Sequence, residues 1–349
     1  MASSATGRTF GDWRALEGFI SFDEARASQA RQLGALVPRI RTQLEDLGRD
    51  DRLTGPLVMM GIGASHAAAY PALWALRSRR IESWLLDPGE MPVPLSIGDS
   101  RFLAISQGGR SAETLRVTES VEPSRRMGLV NTVPSPLSEM VEILIDLGSI
   151  DDSYASTTGY TGTIVSLAML AEAWDRGRIS EQWLHIEELV RQVQLATTGA
   201  ATDAGRMIAE TAGVDLIAFA PSYGTAEAGA LLLREVARIP SSSMNTRQYL
   251  HGAMESAGTV AHIVFGEERE LELARTLVSA GQEVVFVGEG KSALPGANLI
   301  NLPRVGSAMR AVLEGVVMQE IARAAAVHRG IEIEEFVFEN NDTKQPVSK

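Results

Sequence analysis

The chain has no cysteine among its 349 residues. That one absence excludes disulfides, thiolate metal sites and every cysteine nucleophile. Positive charge is short as well: 32 Lys and Arg stand against 44 acids, for a net charge of −12. Nucleic-acid binding leans on a basic face, so that class is set aside. No run approaches 18 consecutive apolar residues, so no membrane-spanning helix is expected. Met1 to Arg8 is polar and lacks the apolar stretch of a signal peptide. There are five histidines. His66, His185, His262 and His328 are scattered without ligand spacing, so they read as structural and no metal is expected. A dinucleotide fingerprint fails at His66, and no Gly-Lys-Ser/Thr follows a glycine loop. No Gly-x-Ser-x-Gly element supports a serine hydrolase. What is present is a composition 45% hydrophobic, enough for real cores and against wholesale disorder. The expectation is a cytoplasmic α/β protein of about two domains.

The first fifty residues read as helical. Ser21 and Glu24 form a capping-box pair, and Pro38 is expected to split the run into two helices. Short apolar runs follow at Leu57–Met60, Ser83–Leu86, Phe102–Ser106, Gly128–Val133 and Ile143–Leu147, with helix-like segments between them. That alternation implies a parallel sheet covered on both faces. Two helical stripes come next, one on Ile164, Leu167, Leu170, Ala171 and Trp174, the other on Trp183, Ile186, Leu189, Val190 and Val193. The small-residue stretch Ala196–Gly205 reads as a joint. Strand-like runs restart at Val214–Ala220, Thr259–Phe265, Glu283–Val287 and Asn298–Leu302. At an offset of 157, Gly61–Ser65 faces Ala218–Ser222, which suggests two copies of one α/β unit. A long helix over Ser307–Arg329 and a tail from Ile331 complete the chain. In the tail, Glu332, Glu334, Glu335 and Glu339 read as a solvated strand or edge.

Two turns in the first half carry chemistry. One is Gly61-Ile62-Gly63-Ala64-Ser65; the other runs from Ser106 through Gln107, Gly108, Gly109 and Arg110 to Ser111 and Thr114. Both fall after strands, where open parallel sheets bind ligands. Glycines let the backbone approach an anion, and Ser106, Gln107 and Ser111 supply donors. A helix starting near Ser111 adds free N–H groups worth about 0.3–1 kcal/mol to an anion. Arg110 adds a charge. A net-acidic protein would need such local donors to hold a phosphate against its own field.

On these motifs the chain resembles the double sugar isomerase (SIS) domain proteins, especially the isomerase half of glucosamine-6-phosphate synthase and its stand-alone relatives. The resemblance covers about residues 20 to 330. It implies two SIS domains, each a mostly parallel five-stranded sheet flanked by helices. The expected partition is N-terminal helices at 1–47, a first SIS domain at 48–195, a second at 205–330 and a tail at 331–349. Gly63-Ala64-Ser65 is similar to the family's Gly-Thr-Ser turn, and Ser106 to Ser111 to its phosphate loop. The carry-over gives Ser65, Ser106, Gln107, Gly108 and Ser111 to the phosphate, and Ser156 and Gly63 to the sugar. Tyr154-Ala155-Ser156-Thr157-Thr158 resembles a segment that ends in lysine, and here the lysine is missing.

Ala228 to Glu235 resembles the helix whose last glutamate moves a proton between C1 and C2, so that role falls on Glu235. Leu232 replaces a lysine of that helix. His251, sixteen residues on, matches the ring-opening histidine that often comes from a neighbouring subunit, which implies a homodimer. For the lysine that can form a Schiff base, one register gives Lys349; the other gives Asn341, with Lys344 three residues on. A partly desolvated Glu235 would have a raised pKa suited to proton transfer. The function implied is a cofactor-free phosphosugar or aminosugar-phosphate isomerase or deaminase, glutamine-independent because the chain has no cysteine. A fructosamine-6-phosphate deglycase and a non-catalytic sugar-phosphate-binding regulator are the alternatives.

Overall fold

The computed structural model describes residues 18–289, 293–338 and 342–345. Its elements are α1 (Phe22–Arg49), β1 (Leu57–Met60), α2 (Ala64–Ala67), α3 (Tyr70–Ser78), β2 (Ser83–Leu86), β3 (Arg101–Ile105), α4 (Ala112–Glu119), β4 (Arg126–Val130), α5 (Pro136–Met140), β5 (Ile143–Asp146) and α6 (Thr158–Ala173). There follow α7 (Ile186–Ala209), β6 (Val214–Ala218), α8 (Tyr223–Val236), β7 (Ser241–Asn245), α9 (Thr246–Leu250), β8 (Ala261–Gly266), α10 (Glu268–Ser279), β9 (Val284–Glu289), β10 (Asn298–Leu302) and α11 (Ser307–His328).

The strands form two parallel five-stranded sheets, ordered β2-β1-β3-β4-β5 and β10-β9-β8-β6-β7. Counted from its own first strand, the second sheet repeats the order of the first. In each, the chain reverses direction across the sheet between the first and third strands, which leaves a crevice at their carboxyl ends. Strands β1, β3 and β6 are almost wholly buried, as strands covered on both faces should be. The α/β expectation and the internal repeat are therefore seen as two like sheets.

Several local expectations change. The capping box at Ser21 and Glu24 is formed, but Pro38 lies inside a single helix, α1. An interior proline costs roughly 3 kcal/mol. Burial of Leu33, Leu36, Val37, Ile40 and Leu44 on both sides of it outweighs that cost. Helix α6 is buried all round rather than along one stripe. It can be, because Thr161, Thr163 and Ser166 donate their hydroxyls to carbonyls one turn back.

The stretch Ala196–Gly205 is no joint; it is continuous helix within α7. Its small residues serve close packing: a Cβ at Gly205 would run into the Ile321 carbonyl and Ala324 of α11. Strand β7, Ser241-Ser242-Ser243-Met244-Asn245, had no apolar run to announce it. It is a sheet edge paired only with β6, and Ser241 and Ser242 bond to the Ile239 carbonyl and to Asp215. The acidic tail is not a strand over 331–338. Glu334 accepts from the Phe22 N–H at 2.9 Å, at the start of α1; Glu339 lies outside the described residues. Among the described residues no helix is long and apolar enough to cross a membrane.

Candidate active site

The two predicted turns meet at the crevice of the first sheet. Gly63 (φ 58°) precedes α2, with Ser65 half-buried in its first turn. On the neighbouring strand, Ser106 follows β3 and is buried, while Gly108 is exposed at the tip of the loop. Gly109 (φ 61°) closes the turn: its N–H donates to the Ser106 carbonyl at 2.9 Å. Any side chain there would collide with Ser135, so glycine is required both by dihedral and by space. Ser111 is the N-cap of α4, yet its hydroxyl caps no backbone N–H. It donates to Glu113 at 3.2 Å and accepts from Thr114 at 3.1 Å. Arg110 does not turn into the loop; its guanidinium donates to the Gln345 carbonyl at 2.9 and 2.6 Å.

That contact belongs to the C-terminal tail, which is laid along the loop. The Ala112 N–H donates to Thr343 and the Gln345 N–H to Arg110, with a bridge between Ser111 and Lys344. The Lys344 ammonium stands 5.3 Å from the centre of the Tyr154 ring. Tyr154 in turn packs edge-on against Phe336 and tilts against Phe19.

Gln107 ties the loop to the interior. Its Nε2 donates to Ser156 Oγ at 3.1 Å, and Ser156 donates to Asp152 at 2.7 Å. Asp152 is an organising residue that the sequence did not announce. It accepts from the Thr157 hydroxyl at 2.6 Å and from the N–H groups of Thr157, Thr158 and Gly159 at 2.8–3.2 Å. Burial pushes its carboxyl up, and these donors oppose that. The donors lie four to seven residues downstream, beyond ordinary capping spacing, so no motif exposed them. Gly159 makes the knot possible, because a Cβ there would strike both Asp152 and Gln107.

Ser156 also lines a small cleft that runs between the two sheet units. Its walls come from Ala64 of α2, Tyr160 of α6, the stripe Thr225, Ala228, Leu231, Leu232 and Glu235 of α8, and Gly315, Met318 and Gln319 of α11. Glu235 is half-buried there. Burial pushes its carboxyl up to about 7, with the Lys344 charge pulling the other way. At neutral pH such a group is divided between acid and base, which suits a proton shuttle.

Of the expected site residues, the structure joins Ser106, Gln107, Ser156 and Glu235 in one continuous arrangement, with Gly63, Ser65, Gly108 and Ser111 on the two turns beside it. It does not bring His251 there. That residue is exposed at the end of α9, away from the cleft walls of its own chain. Lys349 lies outside the described residues; Lys344 is the tail lysine whose charge reaches Glu235. Cleft residues missed by sequence reading are Tyr160, Thr225, Met318 and Gln319; they sit on helices that look like plain core. His66, which has no acid at ligand spacing in the sequence, meets Glu227 at 2.6 Å, and His328 pairs with Glu210. Both pairs span more than a hundred residues, which no spacing reveals. Among the described residues, no group of three or more His, Asp and Glu is arranged to hold a metal.

Two like α/β sheet units thus carry a hydroxyl- and glycine-lined loop near a half-buried glutamate. No family model matches the chain. Glutamine–fructose-6-phosphate aminotransferase [isomerizing] 1 of Arabidopsis thaliana is 22% identical to it, over 89% of this chain and 49% of that protein. The chain thus spans about half the length of that curated relative. The C-terminal domain of glucosamine-fructose-6-phosphate aminotransferase from Francisella tularensis superimposes with a TM-score of 0.78 at 15% identity, covering 93% of this chain and 98% of that one. Tagatose-6-phosphate ketose/aldose isomerase from Escherichia coli gives 0.76 at 13% identity, over 96% and 99%. The resemblance to the double SIS proteins holds, and the fold is theirs.

Proposed function

We propose that the chain is a cofactor-free sugar-phosphate isomerase or aminosugar-phosphate deaminase. The observation that carries this reading is Glu235, raised to about 7, on a cleft that Ser156 and Gln107 connect to the serine loop. The phosphate rests on Ser65, Ser106, Gln107, Ser111 and the N–H groups around Gly108, with Gly63 and Ser156 against the sugar. Anchoring the distant phosphate holds the reacting carbons beside the base. Glu235 takes the proton from C2 and returns it to C1, or the reverse. A carbon acid next to a carbonyl needs only a positioned base, so no cofactor enters.

Ring opening is assigned to His251 of a neighbouring copy in a homodimer, because the histidine is exposed and not among the lining residues of its own cleft. Lys344, whose charge acts on Glu235, is one candidate to meet an open-chain carbonyl, and Lys349 is the other. The setting proposed is cytoplasmic. Leu232 and Thr158 stand where the resembling family has lysines, which supports the second reading, a sugar-phosphate-binding regulator without turnover.

The test is incubation with glucosamine 6-phosphate, galactosamine 6-phosphate, fructose 6-phosphate and tagatose 6-phosphate in deuterium oxide, following ketose, ammonia and exchange at C2 of the aldoses or C1 of the ketoses. Exchange that disappears in Glu235→Gln supports the enzyme. Binding without exchange on every compound replaces it with the regulator. Borohydride trapping followed by peptide mapping shows whether Lys344 or Lys349 forms an adduct.

A further inference from the structure

The second sheet carries a polar row that the cleft does not use. Parallel register sets Ser242 of β7, Asp215 of β6 and His262 of β8 side by side across three strands. Residues in register share a face, and here it is the face under α9. Tyr249 of α9 packs on it, its ring edge-on to that of His262 with centroids 6.2 Å apart. Ser242 donates its hydroxyl to Asp215 at 2.5 Å. His262 is 0% exposed, and neither ring nitrogen has a partner among the described residues. The hydroxyls of Tyr249 and Thr246, both on α9, are buried and unpartnered too. Nearly every buried polar group in a protein is paired, so four unmatched atoms in one short helix and the sheet face beneath it stand out.

Asp215 is the one charged side chain acting on His262 among the described residues. On β9 the residue in register is Val284, and Glu283 contributes only its carbonyl, which accepts from the His262 backbone N–H at 2.9 Å. Arg247 of α9, Glu255 in the turn after it, and Glu268, Arg269, Glu272 and Arg275 of α10 are exposed. Glu270, the buried acid of α10, packs on Gly266 at the far end of β8. Burial pushes the His262 imidazole below the usual histidine value of 6.5, with Asp215 pulling the other way. Burial pushes the Tyr249 phenol up to about 12, so it stays a neutral hydroxyl. An imidazolium donates from both nitrogens, and in this seat neither meets an acceptor.

We propose that His262 is a pH-sensitive latch beneath α9: the neutral ring lets Tyr249 seat the helix, and the protonated ring releases it. Helix α9 is five residues long, too short to hold itself as a helix in water, so its place depends on that seat. His251 follows at its C-cap and moves with it. Acid would thus withdraw the residue assigned to ring opening, though the latch holds whatever the cleft binds. Because the seated ring takes a proton less readily than a released one, seating is full above 6.5 and weakens as pH falls, by up to about tenfold per unit.

Hydrogen–deuterium exchange on the full chain, corrected for intrinsic rates, reads the latch in peptides covering 246–252 at pH 7.5 and 5.5. Protection there should fall about three- to tenfold at the lower pH while α6 and β6 keep theirs. His262→Phe should keep α9 protected at both pH values, and Tyr249→Phe, which removes only an unpartnered hydroxyl, should retain the pH dependence. Unchanged protection in the parent, or a pH dependence that survives His262→Phe, overturns the latch. An equal loss in α6 and β6 overturns it too, because the opening is then global. If His262→Phe does not fold, NMR titration of the imidazole rings in the parent decides. A His262 midpoint below 6.5, with the Tyr249 ring signals shifting alongside, supports the latch, and a midpoint at or above 6.5 overturns it.

Discussion

At the carboxyl ends of β1 and β3 the chain presents Gly63, Ser65, Ser106, Gln107 and Gly108, a turn pair of hydroxyls and bare backbone. At the matching ends of β6 and β8 it presents Ser222 and Glu267, and α11 fills the gap between them. Ser222 donates to Glu314 at 2.9 Å and Thr225 donates to it at 3.2 Å. Arg310 lies 3.5 Å from Glu314 and 3.4 Å from Glu289, and pairs with Glu267 as well. Glu314 is 0% exposed, and burial holds its carboxyl up at about 7 against the pull of Arg310. One strand order thus yields a turn pair of hydroxyls and backbone groups in one sheet and a crevice satisfied from within in the other. A parallel sheet supplies the crevice at its switch point, and the side chains brought to it decide whether a ligand is needed.

This contrast can be broken from either side. The largest effect is expected from Glu235→Gln, which should lower C2 exchange by roughly 10²–10⁴-fold while sugar-phosphate affinity stays within a few-fold. Normal exchange in that variant would move the base elsewhere. In the second crevice, Arg310→Ala should destabilise the fold by about 3–5 kcal/mol, because Glu314 would lose the only cation against it among the described residues. Arg310→Met with Glu314→Leu should recover much of that in urea denaturation. If the single variant is as stable as the parent, the second crevice is not held by its ion cluster.

Gly109→Ala should cost about 1–3 kcal/mol from its positive φ and the collision with Ser135, and should abolish phosphate binding. Alanine at Gly98 (φ 56°), where nothing lies within 4 Å of an added Cβ, should bring the smaller dihedral penalty alone.

The smaller effects concern pH. The rate should rise with pH and level off above about 7 as Glu235 ionises. Lys344→Ala should move that midpoint upward, since the ammonium favours the carboxylate. For stability the sign reverses. The folded pKa lies above the ordinary glutamate value, so the favourable contribution is complete below about 4.5 and is lost as pH rises through about 7. Glu235→Gln should therefore raise stability by about 1–3 kcal/mol at pH 8 and by nothing at pH 4, read by thermal melting. A flat difference across pH would contradict the burial of that carboxyl.

Much of this was legible before the fold was known. Apolar runs of four to seven residues located nine of the ten strands among the described residues, because a strand buried on both faces has little freedom to be polar. The tenth, β7, is an edge whose serines are satisfied nearby, so it carries no such signature. Pro38 misled because local propensity is a small term beside the burial of a helix 28 residues long. The glycine–serine turns could be found because turn chemistry is a local fact, and Glu235 because its helix resembles a segment of a known family. Asp152, Gln319 and the His66–Glu227 pair could not be found that way. Their partners lie on other elements or at unusual spacings.

Composition and local pattern alone determined the α/β alternation, the repeat, the absence of cysteine chemistry and the two anion-suited turns. These follow from period, dihedral demand and residue inventory, which need no neighbours in space. Tertiary structure alone decided that Gln107 bonds to Ser156 on the cleft that Glu235 also lines, that the tail lies along the loop, that Arg310 and Glu314 close the second crevice, and that His251 is not among the residues lining that cleft. Desolvation and long-range pairing depend on which helices pack together, and packing is a property of the whole chain.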